Sequence, residues 1–215
     1  MRFISNLLPL LRTASTTPPH FSRSLSILGA GKGGALDLND LELKNTFTGA
    51  KCADHSTMMN DLIVEEFAPR EPGTTFIHSF PSIVKTGVAR ELPLWARVSV
   101  KVLTPILSPF TVGADETGAR QLFMATSGIY PPLKPFEGGA GAAGVPLQKG
   151  LEVMEGGSGK LGDGGYVLNW NCDVTGKGKL LTEYRNNGVS KIVWEHTMGI
   201  FDRVEKINHE KTNVK

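Results

Sequence analysis

The chain is short of the features that would place it quickly. It has 215 residues and only two cysteines, Cys52 and Cys172. Two cysteines build no disulfide framework, which fits a reducing compartment; Cys52 is read as a small buried or half-buried thiol in preference to one activated by the adjacent Lys51. No apolar run reaches the roughly 18 residues of a membrane-spanning helix, so no membrane partner is expected. The first acid is Asp37; residues 1–36 carry neither Asp nor Glu. The basic residues are scattered and the formal charge is only +2, so the clustered face that nucleic acid needs is missing. His20, His55, His78, His196 and His209 show no ligand spacing, so no metal site is expected.

The acid-free N-terminus, with Arg2, Arg12, Arg23 and Lys32 among Ser and Thr, has the composition of a mitochondrial presequence. The competing reading is an amphipathic helix over 2–14, with Phe3, Leu7, Leu10 and Leu11 on one face and Pro9 as a kink. The helix is favoured, because the strand and loop over 22–36 make sense as its continuation. A cytoplasmic location is the expectation, with mitochondrial import as the alternative.

What is present is a globular composition, 40% hydrophobic and 20% charged, in an alternation of strands and helices. SRSLSIL reads as a strand over 22–28 that runs into GAGKGG. ALDLNDLELKNT carries leucines at 36, 38, 41 and 43, but Asp37, Asn39 and Asp40 argue for an ordered loop. A helix is predicted over 49–68. The turn PREPGT comes next, then TFIHSFPSIV, an almost uncharged strand of the kind covered on both faces. Residues 87–110 are apolar and broken by Pro93, Pro105 and Pro109, a pattern that suits a cap over a cleft. A helix is predicted over 112–127. Eleven glycines between Gly138 and Gly165 mark an irregular insertion. GYVLNWNCD reads as a short strand, 190–204 as the last helix, and NHEKTNVK as a frayed tail. Strand, helix and strand of this kind make an α/β sheet, whose ligands sit beyond the C-terminal ends of the strands.

Several motifs compete for function. GAGKGG fits G-x-G-x-x-G at Gly29, Gly31 and Gly34, the dinucleotide-binding spelling, but the next ten residues give no helix N-terminus for a pyrophosphate. GGSGKLGDGG resembles a phosphate loop with Met154 where its first glycine should stand, so it is read as a linker. Tyr130 and Lys134 are four apart, but Pro131 and Pro132 between them forbid a helical turn. Lys51, four residues after Phe47 at the start of a helix, can reach a cleft and hold ribose hydroxyls. His78 reads as a hydrogen-bonded core histidine. Trp95, Trp170 and Trp194 read as packing residues.

In this order and spacing the segments resemble the C-terminal half of a short-chain dehydrogenase/reductase, of the divergent fungal type associated with secondary metabolism. NLLPLL is similar to the family's central helix. SLSILGAG is similar to the strand that ends at the catalytic serine, FTGAKCADHSTMMNDLIVEEFA to the tyrosine–lysine helix, and TTFIHSFPSIVKTG to the strand and Pro-Gly loop. The resemblance covers 2–127 and weakens beyond. It implies a partial, doubly wound parallel Rossmann-like sheet with flanking helices, lacking the first half. Residues 1–135 would form that half-domain, 136–165 a glycine-rich loop, and 166–215 its last strand and helix. It implies NADP or NAD as cofactor, with Lys51 and Ser26 catalytic and Lys51, Pro81, Ile83 and Thr86 touching the cofactor. A small-molecule substrate is the expected partner, with a homo-oligomer as the assembly the family favours.

The departures are as informative. Phe47 stands where the family has its tyrosine and has no proton to donate. Gly29 occupies the serine position, with Ser26 a neighbour on the strand. The Pro-Gly pair is Pro81-Ser82. The family's glycine-rich cofactor loop would lie before Met1. The function implied is therefore NAD(P)-dependent oxidation or reduction at a carbonyl or hydroxyl of a small metabolite. The alternative is a truncated, catalytically inactive relative acting as an interaction protein or surviving as a non-functional fragment.

Overall fold

A computed structural model describes residues 1–84, 111–135, 144–147 and 149–213, with 93, 94, 97 and 98. Three parallel strands form the centre, β1 (Arg23–Ile27), β2 (Thr75–Ser79) and β5 (Gly165–Leu168), in the order β1-β2-β5. Helix α2 (Gly49–Arg70) joins β1 to β2 and packs on one face of the sheet. Two two-residue strands, β3 (Ile83–Val84) and β4 (Thr111–Val112), form a separate parallel ladder. Helix α3 (Ala114–Thr126) comes after β4 and covers the other face, where Met124 packs with Ile77, Tyr166 and Leu168. Helices α4 (Lys179–Asn186) and α5 (Val189–Asn213) return to the first face. The architecture is α/β with a parallel sheet clad on both faces, as the sequence implied.

Strand alternation divides the core in two. Phe76 and Val167 point to α2, α4 and α5, and pack with Leu62, Phe67, Leu181 and Val193. Ile77 and Leu168, one residue along, point to α3. β2 is buried at every position because it is central and covered twice. Helix α2 starts at Thr48, whose side chain accepts the Lys51 N–H, and its second half is buried on nearly all sides at 61–64, 67 and 68.

Some elements differ from expectation. Helix α1 (Arg2–Thr16) forms and includes Pro9, but it offers Ile4 and Leu8 to the core. The expected face is largely turned outward, with Phe3 86% exposed and Leu7 and Leu10 exposed too. The strand read through TFIHSFPSIV stops at Ser79. Ser82 turns into the left-handed region (φ 68°), which sends Ile83 and Val84 to a different ladder. Helix α4 had no counterpart in the sequence reading. The expected frayed tail is helical as far as Asn213. GGSGKLGDGG is not a linker: Asp163 accepts the Ser158 and Gly165 N–H groups, and Glu155 pairs with Leu161 in an antiparallel bridge. Cys52 is exposed rather than half-buried, on the outer side of α2. The proposed cap over 87–110 and Thr86 lie outside the described residues, apart from 93, 94, 97 and 98.

Candidate functional site

In a parallel sheet all strands end at one edge, and the residues singled out above gather there. Ser26 is near the end of β1, half-buried, in register with His78 of β2. Lys51 lies in the first turn of α2, whose N-terminus is brought to the same edge because α2 runs back against β2. Its Nζ is 3.9 Å from Asp37 Oδ2, a loose and half-exposed ion pair. Phe47 precedes the helix cap and is 67% exposed, so it shares no helical turn with Lys51. Pro81 is half-buried and Ile83 half-exposed, just beyond β2. No hydrogen bond or ion pair joins Lys51 to Ser26 among the described residues. Ser82 sits in the backbone region that costs any side chain and suits glycine. That conformation agrees with its assignment to the glycine of the Pro-Gly pair.

The GAGKGG run closes this edge from above, and its glycines are there for packing. A side chain on Gly33 would stand 2.6 Å from the Met58 backbone nitrogen, and one on Gly34 would collide with Asp54. Three of the loop N–H groups are already engaged, Lys32 N donating to Gly29 O at 2.8 Å. Gly31 N donates to both oxygens of Asp61, at 3.3 and 3.0 Å, and Gly34 N donates to Asp54 Oδ1 at 3.1 Å. A pyrophosphate placed here would meet two carboxylates where it needs free donors. Lys32 leans over the Phe80 ring at 5.3 Å.

Two residues of this edge were missed as site candidates. Asp61 and His78 are both 0% exposed, and His78 Nδ1 is 2.6 Å from Asp61 Oδ1. Sequence reasoning rightly placed His78 as a hydrogen-bonded core residue but did not find its partner. The available signal was Asp61 itself, an acid inside the apolar run MMNDLIV. His55, on the same helix, accepts the Asp37 N–H through Nε2.

For a nicotinamide cofactor the fit is partial. Lys51 can donate to ribose hydroxyls, and Pro81 and Ile83 offer apolar surface to a nicotinamide ring. Bound there, the cofactor would supply or accept a hydride. Of the loop amides that could cradle its pyrophosphate, Gly31, Lys32 and Gly34 already have partners. Among the described residues no cluster of His, Cys, Asp and Glu gathers to hold a metal ion, and no helix is long and apolar enough to cross a membrane.

A well-defined cavity lies elsewhere. It measures about 400 Å³ and sits at the opposite edge, between the end of α2, the 156–165 turn and the start of α5. Arg185 crosses it to grip Glu65 with two hydrogen bonds and also donates to Gly176 O. Burial pushes the Glu65 carboxyl up while Arg185 opposes the shift. Glu65 and Arg185 are matched to one another here, while Lys160 also lines the cavity.

No family model matches the chain. Its relatives among curated proteins are fungal oxidoreductases. It is 37% identical over 205 residues to an oxidoreductase of Emericella nidulans, covering 94% of this chain and 59% of that protein. It is 32% identical to the oxidoreductase andH of Emericella variicolor, covering 95% of this chain and 58% of that protein. A protein named short-chain dehydrogenase/reductase from Stachybotrys chartarum is 24% identical, over 97% of this chain and 57% of its own length. The chain thus spans under three-fifths of the length of these relatives.

Proposed function

We propose that the chain carries the C-terminal half of an NAD(P)-dependent oxidoreductase of short-chain dehydrogenase/reductase type. It acts on a carbonyl or hydroxyl of a small metabolite, in secondary-metabolite biosynthesis and in the cytoplasm. The observation that carries this reading is the C-terminal edge of the sheet. Ser26, Lys51, Pro81 and Ile83 arrive there from three separate segments, in the order the resemblance implies. The similarity to fungal oxidoreductases supports the same class. Lys51 holds the ribose, Pro81 and Ile83 back the nicotinamide, and Thr86 meets its carboxamide.

The second reading, an inactive relative acting through protein contacts, is favoured by Phe47 and by the engaged GAGKGG amides. Titration of NADPH and NADH into the purified 215-residue chain by calorimetry separates the two. Saturable micromolar binding, followed by turnover of carbonyl compounds, is expected for the enzyme. No binding up to millimolar cofactor would overturn the proposal for this chain and leave the inactive reading.

A further inference from the structure

Two polar groups at the C-terminal edge are left without partners, and they are neighbours. His78 Nδ1 is bonded to Asp61, so its Nε2 is the free end of the ring; that atom is buried and has no hydrogen-bond partner. Leaving a polar nitrogen of a fully buried ring unpaired is costly, so such groups usually mark an absent partner. Ser26 is in register with His78 on the adjoining strand. Paired residues of a ladder project to the same face, and His78 projects toward α2, where Asp61 lies. The Ser26 hydroxyl therefore stands beside the His78 ring. It is half-buried and makes no hydrogen bond of its own among the described residues. Asp61 is fixed in turn by the Gly31 N–H, and the covering loop keeps water from the carboxylate.

A hydroxyl, an imidazole and a carboxylate in this sequence form the general arrangement of an activated hydroxyl: the acid sets the tautomer and the ring's orientation, and the free nitrogen takes the proton. We propose that Ser26, His78 and Asp61 form a proton relay. Ser26 is the group that meets a bound oxygen, and His78 and Asp61 are its positioning residues. The proposal rests on the C-terminal edge being the site, and it supplies the proton-handling group that Phe47 does not. The relay requires the Ser26 side chain to turn its Oγ toward Nε2, and the register places the two residues side by side on adjoining strands. When Ser26 gives its proton to a substrate oxygen, the imidazolium form of His78, held beside Asp61, replaces it from Nε2 and is left neutral. In the reverse direction the proton passes from substrate to Ser26 to His78.

The test needs neither cofactor nor carbonyl substrate. The whole chain is treated with a fluorophosphonate and the adduct is mapped by peptide mass spectrometry. In this reaction an O–P bond forms at Ser26, the P–F bond breaks, fluoride leaves, and the proton goes to His78 Nε2. Modification at Ser26 is expected, slowed roughly 100- to 10,000-fold in His78→Asn. A folded chain that does not react at Ser26, or that reacts equally well as His78→Asn, overturns the relay. Because His78→Asn disturbs a buried site, Ser26→Ala gives a second measurement. The ¹⁵N resonance of His78 Nε2 should move on this small change, and an unmoved resonance also overturns the proposal. A chain that binds no nicotinamide would sink the oxidoreductase reading without touching either result.

Discussion

The two edges of the central sheet are built on opposite principles. At the N-terminal edge several charged and polar side chains are held by internal partners. Arg23 donates to the carbonyls of Met124, Ser127 and Tyr130, and burial brings the pKa of its guanidinium down to about 10. Ser22 and Thr74 share a 2.8 Å hydrogen bond, Arg12 holds Glu71, and Arg185 holds Glu65. At the C-terminal edge, Lys51 has only a loose partner, His78 Nε2 has none, and Pro81 and Ile83 leave apolar surface open. A cavity of about 400 Å³ belongs to the first edge and the loosely held groups to the second.

The contrast can be broken most severely at Arg185. Arg185→Met should leave Glu65 as a buried, unpaired acid and cost about 3–5 kcal/mol, read as a fall in thermal midpoint. A drop under about 1 kcal/mol would mean that this edge is less closed than its hydrogen bonds indicate. Lys51→Met should do the reverse. Its loose surface pair contributes little to stability, so the melt should hardly move. Losing a charged hydrogen bond of about 1.5–3 kcal/mol should weaken NADPH binding roughly 10- to 100-fold by calorimetry. Unchanged affinity would remove Lys51 from the site.

Ser82→Gly relieves a left-handed backbone angle and should stabilise the fold by about 1 kcal/mol. No gain in denaturant midpoint would argue against that strained turn. Phe47→Tyr should be close to neutral, within about 0.5 kcal/mol, because the ring is largely in solvent. Marked destabilisation would show that Phe47 is packed.

Much of the fold could be read from the chain because its signals were local. The uncharged strand around Ile77, the ordered loop held by Asp37 and Asp40, and the helix over 114–126 each follow from composition over a short stretch. The misreadings came from tertiary choices. Phe3, Leu7 and Leu10 make a plausible inner face, yet Ile4 and Leu8 won the contact with the core. The 156–165 turn looked like a linker because its glycines were counted without their neighbours. A side chain on Gly157 would strike Glu65, and one on Gly156 would strike Asp163. The assigned site residues within the described chain, Ser26, Lys51, Pro81 and Ile83, lie toward one edge of the sheet. The Asp61–His78 bond was not legible, because 17 residues separate its members and only the pairing of α2 with β2 brings them together.

The glycine loop over that bond has a kinetic consequence. Irregular loops normally trade their amide protons with solvent quickly, because nothing holds them. Here the Gly31 and Gly34 protons are tied to carboxylates rooted in α2. Exchange of the Gly31 amide, tied to the fully buried Asp61, is therefore expected to report the opening of α2 from the sheet. A segment that looks like surface in the sequence thus becomes a clock for the opening of the core.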